Sequence, residues 1–201
     1  MWWKQLDRDA ENLRSLERYI DPSATVEETA ILRGAVAIGP GTTICHGAFI
    51  QGPVKIGANC LVGNNTMIRG PLLVGDGTRI GYAAELKNAV IGKGVAIGPL
   101  CYVADSVLED EVYLGAMVRT SNQMLDRSTA KSMHDGKIVD TGLEKLGAYI
   151  GEKTALGIQD VILPGRVVPA HSIFGPHITI SKNYSPGRYV LKQELEYTAI
   201  T

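Results

Sequence analysis

Large aliphatic side chains recur along this chain every six residues, at Ile20, Val26, Leu32, Ile38, Ile44, Ile50, Ile56, Val62, Ile68, Val74, Ile80 and Leu86. One residue is then skipped. The series runs on through Ile91, Ile97 and Val103, then Leu108 and Leu114, and resumes after a gap at Ile150, Leu156, Ile162, Val168, Phe174 and Ile180. Glycine follows many of these positions, as at Gly39, Gly57, Gly81 and Gly98, and a small or β-branched residue comes four places after, as at Thr42, Ala48, Cys60 and Cys101. A helix needs apolar spacings of three and four, so a period of six excludes it. A triangular parallel β-helix fits: six residues supply one short strand and one corner, and three such units make a coil. Coils then stack at about 4.8 Å, the ordinary strand spacing. The aliphatic points inward, the small residue shares the interior, and glycine is expected to let the chain turn at the corner.

Three segments fall outside the repeat. Residues 5–19 predict an amphipathic helix with Leu6, Leu13 and Leu16 on one face, ending before Asp21-Pro22. Its expected place is over the first coil, where it would cap the open edge of the stack. Residues 121–145 are polar and break the repeat, which predicts a long loop thrown out from one corner of the 20–180 β-helix. Residues 181–201 leave the repeat and are expected to fold back over the last coil, as helix or as strand.

Composition narrows the function. The chain has 201 residues, 45% hydrophobic and 6% aromatic, with 20 basic and 21 acidic side chains for a net charge of −1. General affinity for nucleic acid or for an anionic membrane is not indicated. No long apolar run suggests a membrane span, and acidic residues near the start argue against a signal peptide. Cys45, Cys60 and Cys101 are odd in number and lack CxxC spacing, so neither a disulfide framework nor a zinc knuckle is expected. A reducing cytoplasm is the expected compartment. Cys60 and Cys101 fall on inward positions, which suits packing better than nucleophilic chemistry.

The repeat resembles that of the left-handed β-helix acyltransferases, and the handedness is implied by that resemblance alone. A narrower likeness runs from about Thr66 to Pro176. The strings IRGPLLVG, GYAAELKNAVIGKG, LCYVADSVL, LGAMVRTSN, HDGKIVDTGLEKLGAYIG and LGIQDVILPGRVV resemble the C-terminal domain of bifunctional sugar-1-phosphate nucleotidylyltransferase/N-acetyltransferases, in their archaeal-type branch. The resemblance implies acetyl transfer from acetyl-CoA to an amino sugar phosphate or nucleotide sugar, in a cleft between subunits of a homotrimer. It places the phosphate- and sugar-binding pair on Arg69 and Lys87, the cleft tyrosine on Tyr102 and the asparagine that opens the excursion on Asn122. That family's Gly-rich nucleotide loop is not found in these residues, so nucleotidyl transfer is expected of a separate partner if of any. Spacing agrees with the placement of the basic pair. Arg69 and Lys87 each follow an inward aliphatic and lie 18 residues apart, so they should stack on one outer edge, where two cations call for an anion or for carboxylates such as Glu85. They are also readable as ordinary solvated corner residues.

One departure bears directly on the chemistry. The family's general base is a histidine three places before the tyrosine, and Pro99 stands there in Gly98-Pro99-Leu100-Cys101-Tyr102. A second family position, an asparagine, holds Tyr113. An attacking amine must be neutral, and a positioned base contributes about 10²–10⁴-fold. His134 in the excursion is the candidate replacement, reaching the site from a neighbouring subunit, with a solvated loop histidine beside Asp135 as the plainer alternative. Tyr102, with an ordinary pKa near 10, is a poor base at neutral pH. No metal site is expected: His171 and His177 are six apart and fall on successive sides of the prism, far from His46. Two readings remain, an acyltransferase using His134 and Tyr102 with Arg69, Lys87 and Asn122, and a non-catalytic β-helix module that binds ligand or trimerises.

Overall fold

A computed structural model of the chain describes residues 1–192. Short parallel strands wind into a three-sided prism, and their pairing follows the repeat: Thr25 pairs with Thr43, Thr43 with Leu61, and Leu61 with Arg79. The repeat aliphatics from Ile38 to Ile180 line one continuous interior and are almost wholly buried. Cys60 and Cys101 share that interior, each donating its thiol to a carbonyl of the next coil, Gly75 O at 3.2 Å and Gly115 O at 3.1 Å. Burial pushes the Cys101 thiol up to about 11, so it stays protonated at neutral pH.

Most of the repeat glycines are needed for a reason other than the expected one. Gly39 and Gly81 do not adopt the left-handed backbone; they lie directly under the next coil. A Cβ at Gly39 would sit 2.6 Å from the carbonyl carbon of Gly57, and one at Gly81 would sit 2.7 Å from that of Gly98. The left-handed corner positions go instead to residues such as Asn59 and Asn65 (φ 54° and 56°). Close stacking of coils, not turning, selects these glycines.

The N-terminal helix α1 spans Trp3–Asn12, shorter than the predicted 5–19, and it does not cap the first coil. It lies along the side of the prism against the strands Met67–Val74, Glu85–Ile91 and Tyr102–Leu108. Trp3, Leu6 and Leu13 form its buried stripe, and the helix ends where that stripe ends. Ile20 at the start of the stack is left 37% exposed. The other end of the stack is closed: Tyr184 and Tyr189 pack on Phe174 with ring centroids 5.4 and 4.7 Å away, and the strand Arg188–Tyr189 pairs with Ile173–Phe174. The tail therefore folds back as a strand, and residues 193–201 of the expected extension lie outside the described residues.

The excursion 121–145 is more ordered than a loop. Lys131–His134 and Lys137–Asp140 form an antiparallel hairpin. Ala130 and Leu146 join Trp3, Leu6 and Val107 in a second small core, with Trp2 Nε1 donating to Ser132 Oγ at 2.9 Å. Helix and hairpin thus brace each other on the flank of the prism.

Two of the three faces are joined by unusually long strands. Met67–Val74, Glu85–Ile91 and Tyr102–Leu108 run through a corner that elsewhere interrupts the sheet, merging both faces into one 13-stranded sheet beside a 9-stranded one. At this corner Gly70 and Pro71 of one coil are matched by Asn88 alone in the next, where the register shifts between Lys87 and Ala89. That is the skipped residue of the sequence pattern, and it recurs between Val103 and Leu108, where Asp105 takes the corner.

Candidate functional site

The long-strand corner gathers the charged candidates. Arg69 and Lys87 are direct cross-strand partners, one above the other as their spacing predicts. Each has a carboxylate beside it: Arg69 Nη2 donates to Glu85 Oε1, and Lys87 Nζ lies 3.9 Å from Asp105 Oδ2. Asp105 is only 4% exposed. Its two oxygens accept from Asn88 Nδ2 at 2.7 Å and from Asn122 Nδ2 at 2.6 Å. Asn88 and Asp105 both hold left-handed backbone (φ 44° and 49°), which aims their side chains along the corner. Arg69 Nε is buried with no hydrogen-bond partner. Lys87 Nζ, beyond hydrogen-bond distance of Asp105, keeps donors free for a ligand oxygen.

Tyr102 lies on the same face, paired in register with Glu85. Its hydroxyl is held above the usual tyrosine range by burial first, then by the Glu85 and Asp105 charges, with Arg69 opposing. Tyr102 is therefore a hydrogen-bond donor at neutral pH. Of the five residues singled out in the sequence, Arg69, Lys87, Tyr102 and Asn122 meet in this one region.

His134 does not meet them within the chain. It ends the first hairpin strand, with its ring edge-on to Trp3 at 6.2 Å and Nε2 3.5 Å from Asp135 Oδ2. Pro99 occupies an outer turn whose carbonyl accepts from Met117 N, followed by the 45% exposed Leu100. Tyr113 is likewise exposed. His46 bonds Thr29 Oγ1 and His171 bonds Glu152, and among the described residues no three His, Cys, Asp or Glu side chains are grouped to hold a metal ion.

Beside the charged corner opens a groove of about 560 Å³ lined by Ser121, Gln123, Met124, Leu163, Pro164 and Arg166. Leu163 and Pro164 come from a later coil, and residues 121–124 open the excursion. The two features share a segment. Asn122 turns its side chain onto Asp105, while its neighbours Ser121 and Gln123 line the groove. Asn88 and Asp105 were not singled out in the sequence, yet both sit where the six-residue period falls to five.

The fold is the left-handed β-helix of hexapeptide-repeat proteins. Its coils superpose on those of a UDP-N-acetylglucosamine acyltransferase from Campylobacter jejuni with a TM-score of 0.57 at 17% identity, covering 83% of this chain and 69% of that one. In sequence, the chain is a relative of acetyltransferases and of bifunctional nucleotidylyltransferase/acetyltransferases, and its repeat region fits the C-terminal acetyltransferase domain of the latter. It is 46% identical over 120 residues to the uncharacterized acetyltransferase YaiX of Escherichia coli O6:K15:H31, covering 60% of this chain and 52% of that protein. It is 34% identical over 111 residues to the bifunctional sugar-1-phosphate nucleotidylyltransferase/acetyltransferase of Sulfurisphaera tokodaii, covering 55% of this chain and 28% of that protein. The match thus spans about half of the first relative and less of the second. No protein-family model matches the chain. Among the described residues no helix is long and apolar enough to cross a membrane.

Proposed function

We propose that the chain is a CoA-dependent acyltransferase that acetylates an amino sugar carrying phosphate, a sugar phosphate or a nucleotide sugar, at a cleft between subunits of a homotrimer. The observation that carries this reading is the Asn122 junction, which sets the Arg69–Lys87 corner and a largely apolar groove side by side. Arg69 and Lys87 hold the phosphate. Asn122 and Asn88 fix the buried Asp105 carboxylate, which holds Lys87 toward the phosphate. The groove takes the pantetheine arm of acetyl-CoA against Met124, Leu163 and Pro164, and Tyr102 donates a hydrogen bond at the cleft wall.

In the transfer, the neutral amine nitrogen attacks the thioester carbonyl. A nitrogen–carbon bond forms, the carbon–sulfur bond breaks, the amine loses one proton, and the departing thiolate takes one up to leave as free CoA. With proline at 99, the proton acceptor is His134 supplied by a neighbouring copy, its ring already oriented by Trp3 and Asp135. Thiol release from acetyl-CoA in the presence of amino sugar phosphates tests this. Arg69→Ala is expected to raise the acceptor KM at least ten-fold, and His134→Ala to lower kcat about 10²-fold with KM unchanged. Equal, negligible effects of both changes overturn the assignments.

Pro99 favours one competing reading, a β-helix that keeps binding and has lost turnover, working beside a separately encoded nucleotidylyltransferase. That protein binds acceptor and releases no thiol under any acceptor tried.

A further inference from the structure

We infer that the acceptor is a nucleoside diphosphate-linked sugar, with its phosphates on Arg69 and Lys87 and its base on an Arg33–Phe49 platform. This rests on the transferase reading above and narrows its substrate.

The outward column that carries Arg69 and Lys87 continues down the prism beyond what a sugar phosphate needs. Arg33, Gln51, Arg69 and Lys87 are successive cross-strand partners in one outward column. At about 4.8 Å per coil, Arg33 lies roughly 14 Å from Lys87 and about 19 Å from the coil that holds Asp105. A free sugar phosphate seated beside Lys87 ends near Arg69. The remaining two coils match the ribose and base of an extended nucleotide.

Arg33 itself supports this. Among the described residues its guanidinium has no ion pair or side-chain hydrogen bond; it lies over the Phe49 ring, 5.3 Å from the centroid. Ile31 and Met67 flank Phe49 in the adjacent outward column and are 47% and 41% exposed. A guanidinium over an aromatic ring between exposed apolar side chains is a surface on which a nucleobase stacks. The two middle residues suit the linkage: Gln51 is exposed and uncharged, and the Arg69 side chain is 41% exposed. The neighbouring face lacks any such track. Its outward column of Thr43, Leu61, Arg79, Ala96 and Tyr113 holds a single cation.

Calorimetry of the full chain without acetyl-CoA tests the inference, using UDP, GDP and ADP in turn against glucosamine 1-phosphate. At least one nucleoside diphosphate is expected to bind ten-fold or more tightly than glucosamine 1-phosphate. Arg33→Gln and Phe49→Ala should each weaken that nucleotide about ten-fold and leave glucosamine 1-phosphate within two-fold. Arg69→Ala should weaken both ligands. Unchanged melting temperatures confirm that the surface variants fold, and saturating acetyl-CoA should leave nucleotide binding in place. Equal or weaker nucleotide binding, no binding of any probe, or an Arg33→Gln or Phe49→Ala variant that spares nucleotide or weakens both ligands alike overturns the inference. So does displacement by acetyl-CoA, because the column would then hold the donor's own adenosine diphosphate. A chain that binds nucleotide as described but transfers no acetyl group contradicts the transferase reading alone.

Discussion

Two corners of the same prism use carboxylates for different ends. At one, Asp76 and Asp110 stand exposed and each accepts a backbone N–H from the preceding coil, Ala58 N at 2.8 Å and Lys93 N at 2.7 Å. Those acids satisfy the turn itself, and salt and water surround them. At the other corner Asp105 is buried, and its oxygens accept from the side chains of Asn88 and Asn122, with Lys87 close by. A fold gains little by burying a carboxylate and then building three polar side chains around it, because desolvation offsets most of the attraction. Such an arrangement holds Asn88, Asn122 and Lys87 in one geometry, which the proposed function uses to meet a ligand. Charge type alone does not separate the two corners; what each carboxylate bonds to does.

The largest expected effect breaks the buried corner. Asp105→Ala leaves two amide donors and an ammonium without their acceptor and should cost about 3 kcal/mol, or roughly 9 °C in melting temperature for a chain of this size. Asp105→Asn keeps the shape and should lose less. Thermal unfolding of both variants checks this, and a loss after Asp105→Ala no greater than after Asp110→Ala would erase the distinction between corners.

Next in size is a pH effect from a third carboxylate. Asp160 fills an interior position that other coils give to threonine, alanine or cysteine, and accepts Gly157 N at 2.9 Å and Ile178 N at 2.7 Å. Burial raises its pKa from 3.8 to about 6, against the pull of those two bonds and of His177. Because the folded value lies above the unfolded one, the folded state binds the proton more tightly. Its stabilising contribution is full below about pH 4 and is lost as pH rises through about 6, a change on the order of 3 kcal/mol at most. Asp160→Asn should remove that part of the slope from a melting-temperature profile, and an unchanged slope would assign it to other groups. The smallest effect belongs to the exposed corner: Asp110→Ala removes one surface hydrogen bond and should lower the melting temperature by about 2 °C.

The repeat made most of the fold legible. Its aliphatics mark the inward residue of nearly every short strand, and the 18-residue separation of Arg69 and Lys87 is enough to place them on one edge. The rest was hidden for identifiable reasons. The role of the glycines depends on the coil above, which a single six-residue unit does not contain. The extent of α1 is set by where its Trp3–Leu6–Leu13 stripe finds a wall, and that wall comes from residues 67–108. The hairpin in 121–145 is held by Trp2 and Trp3, more than 120 residues earlier in the chain. Asn88 and Asp105 did leave a trace, the two steps of five in a series of sixes. That irregularity marks a tightened corner and not a slip in the pattern, and the tightened corner is where the candidate site lies.

Acyl transfer by this chain requires the groove beside Asn122 to be a donor site joined to the Arg69–Lys87 corner. Titration of the chain with acetyl-CoA by calorimetry, repeated with Leu163→Trp to fill the groove, tests it most directly. Saturable binding at one molecule per chain, lost in Leu163→Trp while the Arg69–Lys87 corner still binds phosphate ligands, is the predicted result. No binding of acetyl-CoA at millimolar concentration, or binding that ignores Leu163→Trp, would contradict it.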